Sequence, residues 1–225
     1  MCGRLVQATA IKKLAVMLHI LKRAELPPRF NVAPSLPLAV VRADHETGEL
    51  EWALLRWGLV PHWAKEINTG YKMINAKAET VHEKPAYRGP LRYHRCIVPA
   101  DGFYEWRAEG KRKLPYYLRA RDDGPLLLAG LWDSWNGPDG ALETCTILTT
   151  AAQAPITDLH DRMPVMLDLD TSRRWLDPKL QDTVGIRKLL TNAAADVDIY
   201  PVSARVNSAA NDDEQLITPA ETAGS

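Results

Sequence analysis

Hydrophobic and polar positions alternate in short runs through the middle of the chain. Cys96–Pro99, Gly102–Arg107, Tyr116–Arg121, Leu126–Trp132 and Leu142–Thr149 each read as a strand. The turn signals Glu109-Gly110-Lys111, Asp122-Asp123-Gly124 and Pro138-Asp139-Gly140 separate the later runs. This spacing predicts a curled, barrel-like antiparallel sheet rather than alternating βαβ units. Leu38–Arg42 and Leu50–Trp57, on either side of His45-Glu46-Thr47-Gly48, read as a further hairpin.

The helical period is confined to short segments. Ile11, Leu14, Ala15 and Leu18 follow i, i+3, i+4, i+7 spacing, with Thr9 as the N-cap and Lys12, Lys13 and Lys22 off the stripe. Asn75–Val81 reads as a short helix with Asn75 at its start. Ile156–Leu159 reads as a turn or helix, and Thr171–Leu176 and Val184–Ala193 as small amphipathic helices. Arg29–Ser35 reads as a loop and the Gly/Pro-broken run Arg56–Trp63 as non-helical. Pro164 biases Met163 toward extended backbone. Ile199–Val206 and Gln215–Thr218 read as extended, and 219–225 as a flexible tail. Without repeats, linkers or composition shifts, the expectation is one α+β, β-rich domain over 1–218 with short flanking helices.

Composition narrows the setting. Lys+Arg and Asp+Glu are both 28, which argues against indiscriminate coating of nucleic acid but leaves room for a local basic groove. Cys2, Cys96 and Cys145 are odd in number and lack CxxC spacing, so neither a disulfide framework nor a zinc site is expected. The six histidines have no ligand-like spacing and no glycine-rich phosphate loop is present, so neither metal nor cofactor is expected. No apolar run approaches the ~20 residues that span a bilayer, and no signal peptide is recognisable. The expectation is a cytoplasmic monomer without membrane contact, associated with the nucleoid when engaged on DNA.

Two stretches are chemically unusual. In Met1-Cys2-Gly3-Arg4, loss of Met1 leaves Cys2 with a thiol and an α-amine on neighbouring carbons. Their reference pKa values are roughly 8.5 and 7.7–8.0, so both are partly nucleophilic near neutrality. Such a 1,2-aminothiol takes an aldehyde as an imine and then closes a thiazolidine ring. The alternative is a small residue on a frayed terminus. In Gly102-Phe103-Tyr104-Glu105-Trp106, strand alternation puts Glu105 on the face of Phe103 and opposite Tyr104 and Trp106. Burial there raises the carboxyl pKa and suits it to proton transfer; the alternative is an edge glutamate reaching water. His160, flanked by Asp158, Asp161 and Arg162, is either a solvated loop histidine or a general base. Cys2, His160 and Glu105 or Asn75 are thus candidates for a nucleophile–base arrangement. Arg4, Lys77 and Arg162 lie in sequence beside these candidates, and Trp63 and Trp106 can stack on bases.

Taken together, MCGR (1–4), RFNVAPS (29–35), RWGLVPHW (56–63), NAKAET (75–80), PADGFYEW (99–106), LHDRMP (159–164) and PVSARVNS (201–208) resemble, in order and spacing, the SRAP family of SOS-response-associated peptidases and abasic-site sensors. The resemblance spans essentially the whole chain. It implies a protein that binds single-stranded DNA carrying an abasic site, with Cys2, Asn75, Glu105 and His160 catalytic. It also implies Arg4, Trp63, Lys77, Trp106, Thr149 and Arg162 as DNA-binding residues. Where members often carry Arg, this chain has Lys77, which keeps the charge but loses the planar fork. The implied activity is a thiazolidine crosslink between Cys2 and the ring-opened sugar aldehyde, protecting the lesion during the DNA damage response. An AP-lyase side reaction and autocatalytic or peptidase-type loss of Met1 accompany it. The rival expectations are a cysteine peptidase using Cys2 and His160, and a non-covalent DNA-binding module.

Overall fold

The computed structural model describes residues 2–20, 26–44, 46–110, 112–191 and 196–220. The chain opens with strand β1 (Leu5–Gln7), helix α1 (Ala10–Met17) and β2 (Arg29–Val32). The hairpin β3 (Pro37–Ala43) and β4 (Leu50–Trp57) leads through a 3-10 turn, Ile67–Lys72, to β5 (Asn75–Lys77) and helix α2 (Pro85–Tyr93). Then come β6 (Arg95–Ala100), β7 (Gly102–Glu109), β8 (Arg112–Ala120), β9 (Leu126–Gly137) and β10 (Gly140–Ala151). A 3-10 turn at Ile156–Asp158, β11 (Arg162–Pro164), β12 (Met166–Leu167), α3 (Leu169–Leu176), α4 (Thr183–Leu189) and β13 (Val197–Pro201) follow. Two more 3-10 turns, Ala204–Asn207 and Glu214–Ile217, close the described chain.

Five strands form a closed ring in the order β10-β4-β3-β6-β9, with β9 returning to β10 from Gly140↔Gly137 to Ile147↔Gly130. All its pairings are antiparallel except β4 with β10. Closure leaves no open edge in the ring itself. Beyond the point where β4 leaves β10, the much shorter β5 takes its place, pairing Asn75 with Ile147 and Lys77 with Thr149. The second sheet, β13-β8-β7-β1-β2, is antiparallel throughout. The β-rich α+β architecture expected from the alternation is therefore present, with the sheet closed rather than merely curled.

Strand β7 divides two cores. Leu5 and Phe103 belong to the large cluster that also holds Cys2, Trp57 and Trp175. Val6, Tyr104 and Tyr117 belong to a smaller cluster with Val202, Val206 and Leu216 from the C-terminal segment. At Gly102, where this sheet turns in from β6, a Cβ would lie 2.4 Å from the Leu118 carbonyl and 2.5 Å from the Tyr117 hydroxyl. Among the described residues, no helix is long and apolar enough to cross a membrane.

Several local expectations change. The stripe Ile11, Leu14, Ala15 and Leu18 is buried as expected, but Thr9 makes no side-chain cap. Asp101 does that work from the β6–β7 turn: its carboxylate accepts the N–H groups of Ala8, Thr9 and Ala10 at 2.6, 2.9 and 3.1 Å, and the Thr9 hydroxyl. Arg29–Val32 is a strand rather than loop because β1 offers it a partner. Asn75–Lys77 is likewise a strand, followed by turns, not the start of a helix. The long β10 supplies ladder partners that outweigh local helix preference. Gln215–Thr218 falls mostly in a 3-10 turn, and Ala204–Asn207 interrupts the extended run expected over Ile199–Val206. Pro219 bridges Val202 and the Ala220 N–H reaches the Pro201 carbonyl at 2.8 Å, so the tail is held at least to 220. Lys22, His45, Lys111, Ala193 and 221–225 lie outside the described residues.

Candidate active site

The first residues are placed by sheet pairing. Beyond β1, the Tyr104 N–H donates to the Arg4 carbonyl at 3.1 Å, continuing the antiparallel register by one step. That alignment brings Gly3 and Cys2 alongside Glu105. Cys2 is fully buried, and its carbonyl accepts a hydrogen bond from Asn75 Nδ2 at 2.8 Å. Asn75 reaches it from β5, so the strand unexpected from sequence is what delivers this amide.

Glu105 is 3 % exposed, which decides between the two readings of its sequence context. Burial raises its pKa; the amino-terminal charge, His160 and the Trp106 N–H pull against that rise. The Cys2 thiol is raised well above its ordinary value, by burial first and then by the negative charge of Glu105, against a lowering from the amino terminus. A resting thiol, rather than the partly ionised one expected from reference values, follows. These mutual effects tie Cys2 to Glu105 and Glu105 to His160, and the hydrogen bond ties Asn75 to Cys2.

His160 sits at the corner between the 3-10 turn and β11. Its Nδ1 is 2.9 Å from the Arg162 N–H, which donates to it, and 2.7 Å from Asp161 Oδ1. The first contact needs Nδ1 unprotonated and the second needs it protonated, so the two are alternatives. The backbone contact is the firmer of the two, because the Asp161 side chain is 84 % exposed and screened by water.

The basic residues are not equivalent. Arg162 forms a fork to Glu79 at 2.7 and 2.8 Å and also donates to the Thr149 carbonyl at 2.6 Å. The Arg162 hydrogen bond holds the Glu79 carboxyl down to about 2. Thr149 is buried between β5 and β11, its hydroxyl 3.4 Å from the Ala76 carbonyl. Lys77 is exposed on β5. Arg4 spends its guanidinium inside the protein, on Asn31 Oδ1 at 2.7 Å and on the carbonyls of Val206 and Asn207 at 2.9 and 3.3 Å. Trp63 exposes 58 % of its surface, whereas Trp106 is half-buried with its indole N–H on Asn207 Oδ1 at 2.8 Å. Cys2, Asn75, Glu105 and His160 thus converge, Thr149 and Arg162 adjoin each other across β10 and β11, and Arg4 and Trp106 share the turn at Asn207.

Sequence reasoning passed over three residues that organise this region. Asn31 is fully buried and donates to the carbonyls of Val206, Ser208 and Asn211. Asp212 fixes β2 through the N–H groups of Phe30 and Asn31 at 2.5 and 3.0 Å and Arg29 Nε at 2.6 Å. Glu79 holds Arg162. Asn31 carried a signal, a polar residue inside the otherwise β-prone RFNV; Asp212 and Glu79 carried none.

The sequence model described as "SOS response associated peptidase (SRAP)" matches residues 1–209. The chain is 42 % identical over 223 residues to the "Abasic site processing protein YoqW" of Bacillus subtilis, covering 96 % of this chain and 99 % of that one. It is 34 % identical to the "Abasic site processing protein HMCES" of Gallus gallus, covering 89 % of this chain and 69 % of the relative. A solved protein from Bacteroides thetaiotaomicron superposes with a TM-score of 0.80 at 27 % identity, over 97 % of this chain and all of that one. A phage-related protein from Bordetella bronchiseptica gives 0.73 at 31 %, covering 89 % of this chain and 94 % of that one. The motifs read from the sequence, the fold they adopt and these matches agree: the chain belongs to the SRAP family.

Proposed function

We propose that this protein processes abasic sites by binding single-stranded DNA and crosslinking its mature Cys2 to the sugar aldehyde. The observation that carries the reading is the buried contact of Cys2 with Asn75 beside a buried Glu105 whose pKa is raised. The names of the relatives, abasic site processing proteins, support the same substrate class.

Removal of Met1 frees the Cys2 α-amine. The amine adds to C1′ of the ring-opened sugar, and Glu105 delivers a proton to the departing hydroxyl, so that water leaves and an imine forms. Because burial keeps the thiol protonated, the amine is the first nucleophile. The cationic imine then lowers the thiol pKa at the moment the thiolate is needed. Sγ bonds to C1′, the electron pair of the C=N bond moves onto nitrogen to give the neutral ring amine, the thiol proton returns to the Glu105 carboxylate, and the thiazolidine closes. The net change is aldehyde plus aminothiol giving ring plus water. Since amine and thiol share one residue, closure is intramolecular, and effective molarities for such steps reach about 10⁵ M or more.

With Nδ1 accepting the Arg162 N–H, His160 carries its proton on Nε2, which hydrogen-bonds the sugar ring oxygen as the ring opens, while the C1′ hydroxyl proton passes through water to that oxygen. Asn75 holds the Cys2 backbone so that the amine faces the site. Lys77, Arg162, Trp63 and Trp106 line the strand's path. The imine also acidifies the C2′ protons; loss of one expels the 3′ phosphate, which is the lyase side reaction.

A cysteine peptidase at the same residues needs a thiolate paired with an imidazolium. Here burial and Glu105 both push the thiol the other way, so the aldehyde reading is preferred. The test is intact mass spectrometry after incubation with single-stranded DNA containing a natural abasic site. The expected product is a heat-stable adduct equal to the Met1-free protein plus DNA minus water, absent for Cys2→Ala. No adduct, or an adduct that survives Cys2→Ala, overturns the proposal.

A further inference from the structure

Asn207 ends the 3-10 turn Ala204–Asn207, far in sequence from Arg4 and Trp106. Its Oδ1 accepts the Trp106 indole N–H at 2.8 Å, and its backbone carbonyl accepts from Arg4 at 3.3 Å. An indole nitrogen only donates, so the amide must present its oxygen to Trp106 and its NH2 away from it. The turn carrying Asn207 is itself anchored. Arg4 reaches the Val206 carbonyl at 2.9 Å, and Asn31 Nδ2 reaches the carbonyls of Val206, Ser208 and Asn211 at 3.2, 3.0 and 2.8 Å. Val206 is sealed into the smaller core with Tyr104.

The consequence concerns the indole plane. Trp106 is half-buried at the outer part of β7, where a tryptophan has two torsions to settle. A hydrogen bond at Nε1 from a rigid turn fixes both. A base that stacks on the ring then meets a surface already ordered, and the ordering cost is removed from binding.

We propose that Asn207 is a positioning residue of the DNA face: it holds the Trp106 ring in the plane on which a base stacks. The turn at Ala204–Asn207 then belongs to the site as much as β5 and β7 do. This rests on the single-stranded DNA reading given above.

Binding is separated from chemistry by fluorescence anisotropy with a single-stranded oligonucleotide carrying a tetrahydrofuran abasic analogue, which has no aldehyde. Asn207→Ala weakens binding about 5-fold, the range expected for one neutral hydrogen bond. With a natural abasic site, the DNA concentration for half-maximal crosslinking rises by a similar factor, and the maximal rate falls less than about 2-fold. In a Trp106→Phe background, which lacks the indole N–H, Asn207→Ala adds nothing. Wild-type binding by Asn207→Ala overturns the inference, as does an equal loss in the Trp106→Phe background. If the unsubstituted protein does not bind the analogue at all, the DNA reading fails and takes this inference with it.

Discussion

The two faces of strand β7 bury polar groups by opposite means. On the face of Tyr104 and Tyr117, the ionisable groups buried in the cluster are phenols, held neutral because burial pushes their pKa values up. The Tyr104 hydroxyl donates to the Phe30 carbonyl at 2.8 Å, and the two rings pack 5.2 Å apart. Nothing there needs to change charge. On the face of Phe103, one residue further along, Glu105 is buried among groups whose charges act on it and on which it acts in turn. A single strand therefore separates a settled polar core from one in which, on the proposed function, Glu105 moves a proton. Alternation with a period of two makes this separation possible: neighbours in sequence answer to different surroundings.

Glu105→Gln breaks the contrast most severely. The crosslinking rate falls about 10²–10⁴-fold, the usual worth of a positioned general acid–base, while binding to an aldehyde-free abasic analogue changes little. Single-turnover kinetics and anisotropy check the two halves. A parallel loss of both would make Glu105 structural. The same variant has a stability signature. The folded-state pKa of Glu105 is raised, so its stabilising contribution is complete below the unfolded carboxyl value of about 4.3 and is lost as pH rises through the folded value. The melting temperature of Glu105→Gln relative to the parent is accordingly more favourable at pH 8 than at pH 4.5.

Tyr104→Phe probes the settled face. It removes one buried hydrogen bond to the Phe30 carbonyl and costs about 1 kcal/mol in urea unfolding. Crosslinking stays within about 2-fold, because the lost hydroxyl serves packing between β7 and β2. A fall in rate comparable to that of Glu105→Gln would show that the two faces are coupled.

What could be read from the sequence follows the same division. Strands β6 to β10 were legible because alternation and turn residues act locally, and Glu105 stood out as an acid inside an aromatic run. Strands β2 and β5 were not. At four and three residues they owe their conformation to β1 and β10, which no local pattern names. The helix expected at Asn75 failed for that reason. Cys2, Glu105, Asn75 and His160 stood out as candidates by their residue chemistry and were joined into one expected site by family resemblance, whereas the elevated thiol of Cys2 depends on burial by distant strands. Asn207, Asn31 and Asp212 escaped notice because their partners lie about 100 or more residues away, as with Asn207 and Trp106.

A second carboxylate sharpens the comparison through its opposite sign. Glu79 is half-exposed and held down to about 2 by its fork with Arg162, where Glu105 is buried and held up. A depressed pKa contributes stability that is present above the unfolded value of about 4.3 and lost as pH falls through the folded one. Glu79→Gln therefore loses stability relative to the parent above pH 5, and the difference closes toward pH 2. Exposure and salt screening keep the size small, below about 1 kcal/mol. The differences between parent and variant should thus run in opposite directions with pH for Glu79→Gln and Glu105→Gln, as read from urea midpoints across pH 3 to 8. If both shift the same way, the buried and rim carboxylates share one environment, and the special standing given to Glu105 is removed.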